Sequence, residues 1–401
     1  MRHRPGLRVL VVGGGVAALE AVLTLRELVD SRLEITLLSP NPRFEYAPLS
    51  VAEPFDLGTA HRFELREILR DRGVDTIVDA LEVVDAPNRE VRTTGGLAIP
   101  YGALLVAIGA HRRSALPGAI TFSGSRATSD IRRLLRDAAA GTVERLVFAV
   151  PAGVTWSLPV YELALMTSAH LAEHELPVEV ALVTPEPRPV DAFGAQPSAA
   201  VEEMLGLRGI PFHSAAPVRV EPGRLIVENG EPIPADAVVA LPKLVAPEIS
   251  GLPRDELGFL PVDEHGRVRD LAGVYAAGDV TSFPLKQGGI ATQQADAAAE
   301  AIAADLGEHV HPAPFRPVLR GLLLTGRAPR YLRAEVLRGR ATRSTAEEEA
   351  IWWPPAKIAG RRLGPFLALQ GVPGGPPPDA VALELDASDD PDEDELSDLP
   401  G

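Results

Sequence analysis

A glycine-rich turn near the N-terminus constrains the fold of this chain more than any other feature of its sequence. Branched apolar residues dominate the run from Val9 to Val12, which is typical of a strand buried on both faces, and Gly13 and Gly15 end that run abruptly. The residues from Ala17 to Val29 then have the pattern of a helix. Strand, glycine turn and helix in this order favour a nucleotide site, although such turns also occur without a ligand.

The spacing of Gly13, Gly15 and Ala18 matches the pattern G-x-G-x-x-G/A, in which each small residue has its own task. Gly13 permits the tight turn out of the strand, Gly15 lets the backbone approach a pyrophosphate, and Ala18 lets the helix pack close to the sheet. A pyrophosphate would then lie at the unpaired N–H groups and the positive dipole end of the helix.

The composition is that of an ordinary globular protein and excludes several kinds of chemistry. The 401 residues, 46% apolar and 23% charged, allow two or three domains. The net charge of −16 argues against a nucleic-acid partner, but ten acidic residues lie between 379 and 398, so the rest of the chain carries −6. Because cysteine is absent, disulfides, cysteine-ligated metals and thiol nucleophiles are excluded, and no metal site is predicted. No uninterrupted apolar run reaches the roughly 18 residues of a membrane span, so we expect a cytoplasmic protein.

The segment after the glycine turn continues an α/β pattern. A second strand is predicted at Leu33 to Leu38, and Ser39 stands where dinucleotide sites often carry an acid that binds a ribose hydroxyl. Ser39 either makes that bond more weakly or simply opens a turn before Pro40, and both interpretations stay open. Further on, Arg62 to Arg72 has the charge pattern of a helix, and Tyr101 to Ala110 is a buried strand that ends in glycine.

A second α/β unit begins at Arg145. Leu146 to Val150 and Val178 to Thr184 are predicted strands, and Tyr161 to Glu173 is the helix between them. This order repeats that of the N-terminal unit and predicts a second doubly wound domain. Its first turn, Pro151 to Pro159, contains one glycine where a pyrophosphate loop needs several, so NAD binding is only weakly supported here.

The rest of the chain adds a third apolar strand and then a small C-terminal region. Gly273 to Asp279 is a strand that ends in a small residue and an acid, and Ile290 to Leu306 is an alanine-rich helix. Pro314 to Leu369 forms a compact region, whose arginines between 327 and 343 we interpret as a solvated face balanced by nearby acids. Beyond Val372 the composition predicts a disordered acidic tail.

The predicted fold class is therefore α/β, with two Rossmann-like domains and a small C-terminal region. We place the first part of one domain at residues 1–112, the second domain at 113–250 and the second part of the first domain at 251–312. The C-terminal region then covers 313–371 and the acidic tail 372–401. The C-terminal region is expected to form either a dimer interface or the substrate side.

Three separated stretches together resemble the signatures of one enzyme superfamily. Val12 to Ala18, Leu104 to Ala110 and Val274 to Asp279 are similar to the first, middle and late signatures of flavoproteins with two dinucleotide-binding domains, the pyridine nucleotide-disulfide oxidoreductases. The resemblance covers residues 7 to 310. Phe44 to Pro48 and Lys286 to Gly289 look more like the sulfide:quinone reductase and type II NADH dehydrogenase branch than the disulfide reductases.

This resemblance implies an extended FAD along the first domain. Its diphosphate would lie at Gly13, Gly15 and Ala18, and Asp279 would accept a bond from the ribityl chain, where Gly278 allows the close approach. Alternatively, Asp279 only caps a turn. The resemblance further implies that the flavin's path is lined by Pro48, Ala107 and Gly109, and that a backbone N–H and a helix start reach the flavin pyrimidine from Gly289, Ile290 and Ala291.

Departures from the family pattern narrow the chemistry. Relatives that oxidise sulfide or reduce disulfides use cysteines near the flavin, and this chain has none, so both chemistries are excluded. NADH-using relatives carry a glycine-rich loop where Pro159 and Val160 stand here, and both side chains would crowd a pyrophosphate. Glu162 does match the acid that often follows that loop. NAD(P)H therefore stays one candidate donor.

Two functions of different classes fit these residues. The first is an FAD-dependent oxidoreductase that passes electrons from a small-molecule donor to a quinone or another small acceptor. The second is a flavin-binding redox-sensing or scaffold protein without turnover. No catalytic acid or base is identified; Trp156, Lys286 and the pair Trp352–Trp353 are weak candidates for the substrate side, and the tandem tryptophans could equally form a homodimer contact. Peripheral membrane contact through Lys357 to Leu367 is not favoured, because that segment is short and contains glycine and proline.

Overall fold

A computed structural model describes residues 7–29, 32–337 and 339–372. Within these residues, two five-stranded parallel sheets organise the chain, and five antiparallel sheets of two or three strands accompany them. Helices accompany both parallel sheets, which is the layering of Rossmann-like domains. The predicted α/β class, with two Rossmann-like domains and a small C-terminal region, is confirmed. The acidic tail predicted for 372–401 lies outside the described residues, apart from Val372.

The first domain starts with a β-α-β unit and continues through short strands. Its helices in this part of the chain are α1 (Val16–Val29) and α2 (Leu65–Ile68). Its strands here are β1 (Leu7–Val12), β2 (Leu33–Ser39), β3 (Arg43–Tyr46), β4 (His61–Glu64), β5 (Val74–Val78), β6 (Leu81–Asp85), β7 (Glu90–Thr93), β8 (Ala98–Pro100), β9 (Ala103–Val106) and β10 (His111–Arg113).

The second domain contains three helices and nine strands among the described residues. The helices are α3 (Thr128–Ala139), α4 (Leu158–Glu173) and α5 (Ala195–Leu207). The strands are β11 (Ile120–Thr121), β12 (Arg145–Ala149), β13 (Glu179–Thr184), β14 (Phe212–Ser214), β15 (Pro217–Glu221), β16 (Arg224–Val227), β17 (Ile233–Pro234), β18 (Ala237–Ala240) and β19 (Lys243–Val245). Helix α4 starts three residues before the predicted Tyr161, because Pro159 has the φ angle of a first helical turn and needs no partner for an N–H.

The chain then returns to the first domain and ends in the C-terminal region. The returning elements are β20 (Val274–Ala276) and α6 (Gly288–Asp305). The C-terminal elements are β21 (Val318–Leu323), β22 (Arg330–Leu337), β23 (Arg340–Glu347) and α7 (Leu363–Leu369), and the three strands form an antiparallel sheet. Arg330 pairs with Glu348 at 2.6 Å and Arg333 with Glu335 at 3.0 Å, so nearby acids do balance these two arginines. Their side chains are only 24% and 17% exposed, so these two do not belong to the solvated face that the sequence predicted.

The first sheet brings three loops to one edge. Its strands lie in the order β5-β2-β1-β9-β20, and all neighbouring pairs are parallel. The chain crosses from one side of β1 to the other, and ligands of open α/β sheets bind at such a switch point. Val12 aligns with Val106, and Val106 with Ala276, so the loops after β1, β9 and β20 leave the sheet together.

The second sheet repeats this arrangement in the order β11-β18-β12-β13-β14, again with parallel neighbours. The two chain segments that cross between the domains pair with each other, since β10 and β19 are antiparallel and Arg112 aligns with Leu244. This pairing holds the segment that enters the second domain beside the segment that leaves it.

The predicted helix over Arg62 to Arg72 is wrong in its first part. Strand β4 pairs with β3 as a hairpin, and Phe63 stacks on Phe44 with ring centroids 6.3 Å apart. Only the short helix α2 and a single 3-10 turn at Arg70–Arg72 follow. Burial of Phe44 against the core outweighs the helical charge pattern, because tertiary packing overrides weak local propensity.

Candidate functional site

The turn after β1 is shaped by close approach on one side and open space on the other. Gly13 has a φ of +127°, and a Cβ at this position would lie 2.1 Å from the carbonyl oxygen of Ala107. Gly15 is exposed, and a Cβ there would meet nothing within 4 Å. Gly13 is therefore required by packing against the loop after β9, whereas Gly15 leaves room for a ligand.

The start of helix α1 offers unused hydrogen-bond donors. Within the described ranges, the N–H groups of Gly15, Val16 and Ala17 donate to no protein acceptor, and the N–H of Leu19 donates to the carbonyl oxygen of Gly15 at 3.0 Å. Ala18 is completely buried, so the helix lies directly on the core. Free N–H groups at the positive end of a helix form a ready anion site.

Gly278 joins the starts of α1 and α6. Its φ is +82°, and a Cβ there would lie 3.1 Å from the Cβ of Ala17 and 3.5 Å from the Cβ of Ala291. Its N–H donates to the side-chain oxygen of Gln294 at 2.8 Å. Asp279, the next residue, therefore lies beside the glycine turn of the first strand, as the sequence patterns require.

The carboxyl group of Asp279 is surrounded by protein but keeps part of its surface accessible. Among the described residues it has no hydrogen-bond partner, so the alternative that it only caps a turn finds no support in the contacts. Burial raises the pKa of this carboxyl group, and the nearby charges of Lys286 and Arg112 partly oppose that rise. Asp279 is thus an unpartnered acceptor next to two cations.

Lys286 lies deep in the same site. Its ammonium group donates to the carbonyl oxygen of Thr281 and stands 3.9 Å from the ring centroid of Phe259. Burial lowers the pKa of Lys286 to about 8, while the charges of Asp279 and Asp255 act in the opposite direction. Lys286, a candidate from the sequence, therefore lies close enough to Asp279 to balance its charge.

The start of helix α6 differs in part from the expectation. Gln287 caps it, because its side-chain oxygen accepts the N–H of Ile290 at 2.8 Å and its carbonyl oxygen accepts that of Ala291 at 2.9 Å. Ile290 and Ala291 are buried and have no free N–H for a ligand. Gly289 keeps an N–H that donates to no described residue, as does Gly288. Of the three expected residues, only Gly289, which is also buried, has an N–H without a described acceptor.

Two other predicted positions have clear structural settings. The hydroxyl group of Ser39 donates to the carbonyl oxygen of Asn41 at 2.8 Å, so the turn interpretation describes this residue. Pro48 lies in a 3-10 helix, Ala47–Val51, at the hairpin end. A Cβ at Gly124 would lie 3.4 Å from the hydroxyl oxygen of Ser50 and 3.5 Å from a guanidinium nitrogen of Arg112, which brings the Pro48 segment close to the cation that acts on Asp279.

The loop after β9 completes the site. Ala107 is buried and its N–H donates to the carbonyl oxygen of Val12 at 2.7 Å. Gly109 has a φ of +69°, and a Cβ there would meet nothing within 4 Å. Both predicted residues therefore lie at the edge of the sheet to which Gly13 and Gly278 belong.

The three tryptophan candidates differ in their surroundings. Trp156 packs on Phe193 in the second domain, with ring centroids 5.6 Å apart. Trp352 is buried against Tyr331, and its ring N–H donates to the carbonyl oxygen of Ala356 at 3.1 Å. Trp353 is 41% exposed, so it is the member of the pair that is available to another molecule.

Sequence reasoning missed a C-terminal strap, residues 351–372, that covers the start of helix α6. The N–H of Ile358 donates to the hydroxyl oxygen of Tyr46 at 3.0 Å, and a Cβ at Gly288 would lie 3.0 Å from the Ile358 side chain. Lys357, one residue earlier, pairs with the buried Glu162 of helix α4. These contacts join residues far apart in sequence, so no local signal could have revealed them.

No helix within the described residues is long and apolar enough to cross a membrane. Comparison with known proteins agrees with the fold. A NADH dehydrogenase-like protein of Mycobacterium tuberculosis is 28% identical over 294 residues, which cover 69% of this chain and 73% of the relative. The solved sulfide:quinone oxidoreductase of Aquifex aeolicus superposes with a TM-score of 0.77 at 21% identity and covers 85% of this chain and 86% of its own.

A ferredoxin reductase of Rhodopseudomonas palustris superposes with a TM-score of 0.59 at 23% identity, over 82% of each chain. The family model described as pyridine nucleotide-disulphide oxidoreductase matches residues 7–301, which include both parallel sheets and the glycine turn. The chain is therefore an oxidoreductase that belongs to the pyridine nucleotide-disulphide oxidoreductase family of flavoproteins.

Proposed function

We propose that this chain binds FAD in its first Rossmann-like domain and passes electrons through it to a quinone or another small acceptor. One observation carries the proposal. The free N–H groups at Gly15 to Ala17 and the unpartnered carboxyl group of Asp279 lie at the same edge of one sheet, joined through Gly278. The first group of atoms suits a diphosphate and the second suits a hydroxyl donor, and FAD carries both.

The residues fit this cofactor in shape as well as in charge. Glycines stand where a ligand would approach, since added Cβ atoms at Gly15 and Gly109 would meet open space. The cations Lys286 and Arg112 act on Asp279 and offset the charge that a diphosphate adds nearby. The hydroxyl group of Ser39 donates its proton to the carbonyl oxygen of Asn41, so in this proposal it could contact a ribose only as an acceptor.

Bound FAD would supply two-electron chemistry that the side chains of this protein lack. The chain's own residues hold and shield it. In this proposal the N–H groups of α1 would bind the diphosphate, Asp279 would accept a ribityl hydroxyl, and Gly289 would supply an N–H to the flavin pyrimidine. The C-terminal strap covers the same helix start and limits the access of water.

The choice of acceptor has two supports. The sulfide:quinone oxidoreductase of similar fold is named for a quinone, and the absence of cysteine here argues against a disulfide as the acceptor. The same absence argues against sulfide as the donor. The donor stays open at this step, with NAD(P)H as the candidate that the NADH dehydrogenase-like relative suggests.

Flavin absorbance during anaerobic turnover tests the proposal. We expect the purified chain to be yellow, to bleach on reduction by dithionite, and to recover its colour when a soluble quinone is added. A yellow chain whose reduced flavin is reoxidised no faster than free FAD supports the alternative, a redox-sensing or scaffold protein without turnover. A chain that neither contains nor takes up FAD contradicts both functions.

A further inference from the structure

Two histidines lie one helical turn apart at the C-terminal end of helix α4. His170 belongs to the last turn of this helix, and His174 directly follows its last residue, Glu173. Side chains four positions apart on a helix lie on the same face. The two rings are accordingly close, with centroids 4.2 Å apart and planes inclined by 34°. The end of α4 therefore carries two neighbouring imidazoles.

A backbone contact fixes the tautomer of His174. Its Nδ1 atom lies 2.8 Å from the carbonyl oxygen of His170. Because a carbonyl oxygen only accepts hydrogen bonds, Nδ1 carries the hydrogen, and the lone pair of the neutral ring lies on Nε2. Metal-binding histidines are commonly oriented in this way, by a bond from the other ring nitrogen to a carbonyl oxygen. His174 thus offers one oriented nitrogen ligand.

His170 is held by packing and keeps its ring nitrogens free. Its ring lies against that of Phe55, with centroids 6.2 Å apart and planes inclined by 58°. Within the described ranges, the His170 ring makes no hydrogen bond to another protein group. The neutral ring then has one nitrogen with an unused lone pair. His170 can therefore supply a second nitrogen ligand beside that of His174.

The spacing and the charge at this helix end suit a cation. Two nitrogens that bind one zinc ion at about 2.0–2.1 Å each lie no more than about 4.2 Å apart. Ring centroids 4.2 Å apart allow such a separation. The last carbonyl groups of a helix form the negative end of its dipole, and the negative charge of Glu173 also acts on His170. Both effects favour a cation at this place.

The type of ligand decides which metals fit. Imidazole suits zinc, copper and nickel, whereas magnesium and calcium prefer oxygen ligands. In the part of the chain that the structure describes, no group of three or more His, Asp or Glu side chains is placed to hold a metal ion. Water would therefore complete the coordination, and such a site is weaker than a structural zinc site with four protein ligands.

We propose that His170 and His174 form a surface site for one divalent transition-metal ion of the zinc type, which binds to both imidazoles. The site lies at the opposite end of α4 from the turn that follows β12, so it does not depend on the proposed flavin function. A bound ion joins the last residues of α4 to each other and keeps the His170 ring against Phe55.

Calorimetric titration of the full chain with Zn²⁺ tests the proposal. We expect a saturable component of one Zn²⁺ per chain, which becomes weaker by about tenfold or more in His170→Gln and in His174→Asn, because either change leaves a single imidazole. Mg²⁺ should give no such component. Equal Zn²⁺ affinity in the wild type and both variants overturns the proposal, as does a wild type without saturable Zn²⁺ binding.

His309 and His311 provide the matched control. Both are exposed, and they lie two positions apart outside helices and strands, so no helix face brings their rings together. The variant His309→Asn/His311→Asn should bind Zn²⁺ as the wild type does. Loss of the saturable component in this control, with both α4 variants unaffected, overturns the proposal.

Urea unfolding gives a second measurement, which also shows that each variant is folded. A metal that binds the folded chain more tightly raises the urea midpoint. We expect Zn²⁺ to raise the midpoint of the wild type more than that of His174→Asn, whose substitution replaces an exposed side chain. An equal rise in the two proteins assigns the effect to other groups and counts against the proposal.

Discussion

Lys357 and Glu162 form an ion pair in the protein interior although 195 residues separate them in sequence. Their side chains are 7% and 1% exposed, and Glu162 also accepts the N–H of Leu324 at 2.9 Å. The pair therefore connects the C-terminal strap to helix α4 of the second domain. A buried charge that loses its partner is strongly destabilising, so this contact is a sensitive point of the fold.

We expect Lys357→Met to lower the free energy of unfolding by about 3–5 kcal/mol, because Glu162 is left buried and unpaired. The double variant Glu162→Gln/Lys357→Met should recover most of that loss, since neither charge remains and Gln still accepts the Leu324 N–H. Urea unfolding gives the free energy of unfolding of the wild type, of Lys357→Met and of the double variant. The matched control is Arg8→Met, which breaks a pair 58% and 60% exposed and should cost no more than about 1 kcal/mol. An equal loss of stability in Lys357→Met and in Arg8→Met would contradict the prediction.

The glycine turn gives a second prediction that separates ligand binding from folding. Gly15→Ala adds a methyl group where the protein itself leaves open space, so we expect little change in stability. If a diphosphate lies there, FAD affinity should fall by about tenfold or more, which corresponds to about 1.4 kcal/mol. Flavin content and the FAD dissociation constant are the measurements.

Gly206→Ala is the control for this substitution. Gly206 lies in helix α5, where an added Cβ also meets nothing within 4 Å. Alanine there should stabilise the helix by up to about 1 kcal/mol and leave FAD binding unchanged. Unchanged FAD affinity in Gly15→Ala would show that the turn does not contact the cofactor.

The parts of the site that the sequence predicts are those with local signatures. Gly13 and Gly278 are recognisable because a tight turn and a close approach both demand glycine, and each lies within a few residues of its strand. The cap of Gln287 on helix α6 is equally local, but the expectation of an N–H from Gly289, Ile290 and Ala291 came from the family resemblance and did not include this cap. Local patterns thus identify backbone geometry better than they identify which donors remain free.

Contacts between distant segments could not be predicted in the same way. Tyr46 and Ile358 meet across 312 residues, and neither carries a pattern that names the other. In the sequence, Glu186 is an ordinary acid that follows a strand. Only the structure shows that it lies between two hydroxyl groups. Such pairings depend on how whole domains pack, and local residue type and spacing do not predict that packing.

Lys286 gives a pH-dependent prediction. Its pKa is about 8 in the folded chain, so its positive charge is present below pH 8 and is lost as the pH rises through 8. FAD adds negative charge beside Asp279, so the charged form of Lys286 should bind it more tightly. We expect the FAD dissociation constant to be flat below about pH 7 and to rise above about pH 8, by less than tenfold per pH unit.

Two variants show whether Lys286 causes this effect. Lys286→Met should bind FAD more weakly at pH 7 and lose the pH dependence, because no titrating cation remains. Lys286→Arg should keep the affinity of the wild type and also lose the break near pH 8, since arginine stays protonated throughout this range. Flavin fluorescence from about pH 6.5 to 9.5 gives the dissociation constants. A break near pH 8 that persists in both variants would assign it to another group.

Glu20 gives a prediction for stability. It is completely buried in helix α1 and accepts the N–H groups of Arg362 at 2.7 Å and Leu363 at 2.8 Å, where the C-terminal strap docks. Burial raises the pKa of Glu20 from 4.5 to about 8, and the nearby charge of Asp296 adds to that rise. Burial likewise raises the pKa of Asp296 to about 6. The C-terminal strap is thus held at two acids, Glu20 and Asp296, whose raised pKa values favour their protonated forms.

Between pH 4.5 and 8 the folded chain keeps a proton at Glu20 that the unfolded chain releases. The free energy of unfolding should therefore fall as the pH rises through this window, by up to about 1.4 kcal/mol per pH unit for this one group. Asp296 loses most of its remaining proton between pH 6 and about pH 7, so within this pair of acids Glu20 is the group that titrates from about pH 7 to 8. Glu20→Gln removes the titrating group, and urea unfolding across that range should then show a clearly shallower slope than in the wild type. Equal slopes would mean that Glu20 is ionised in the folded chain, held by Arg362 and the two N–H groups.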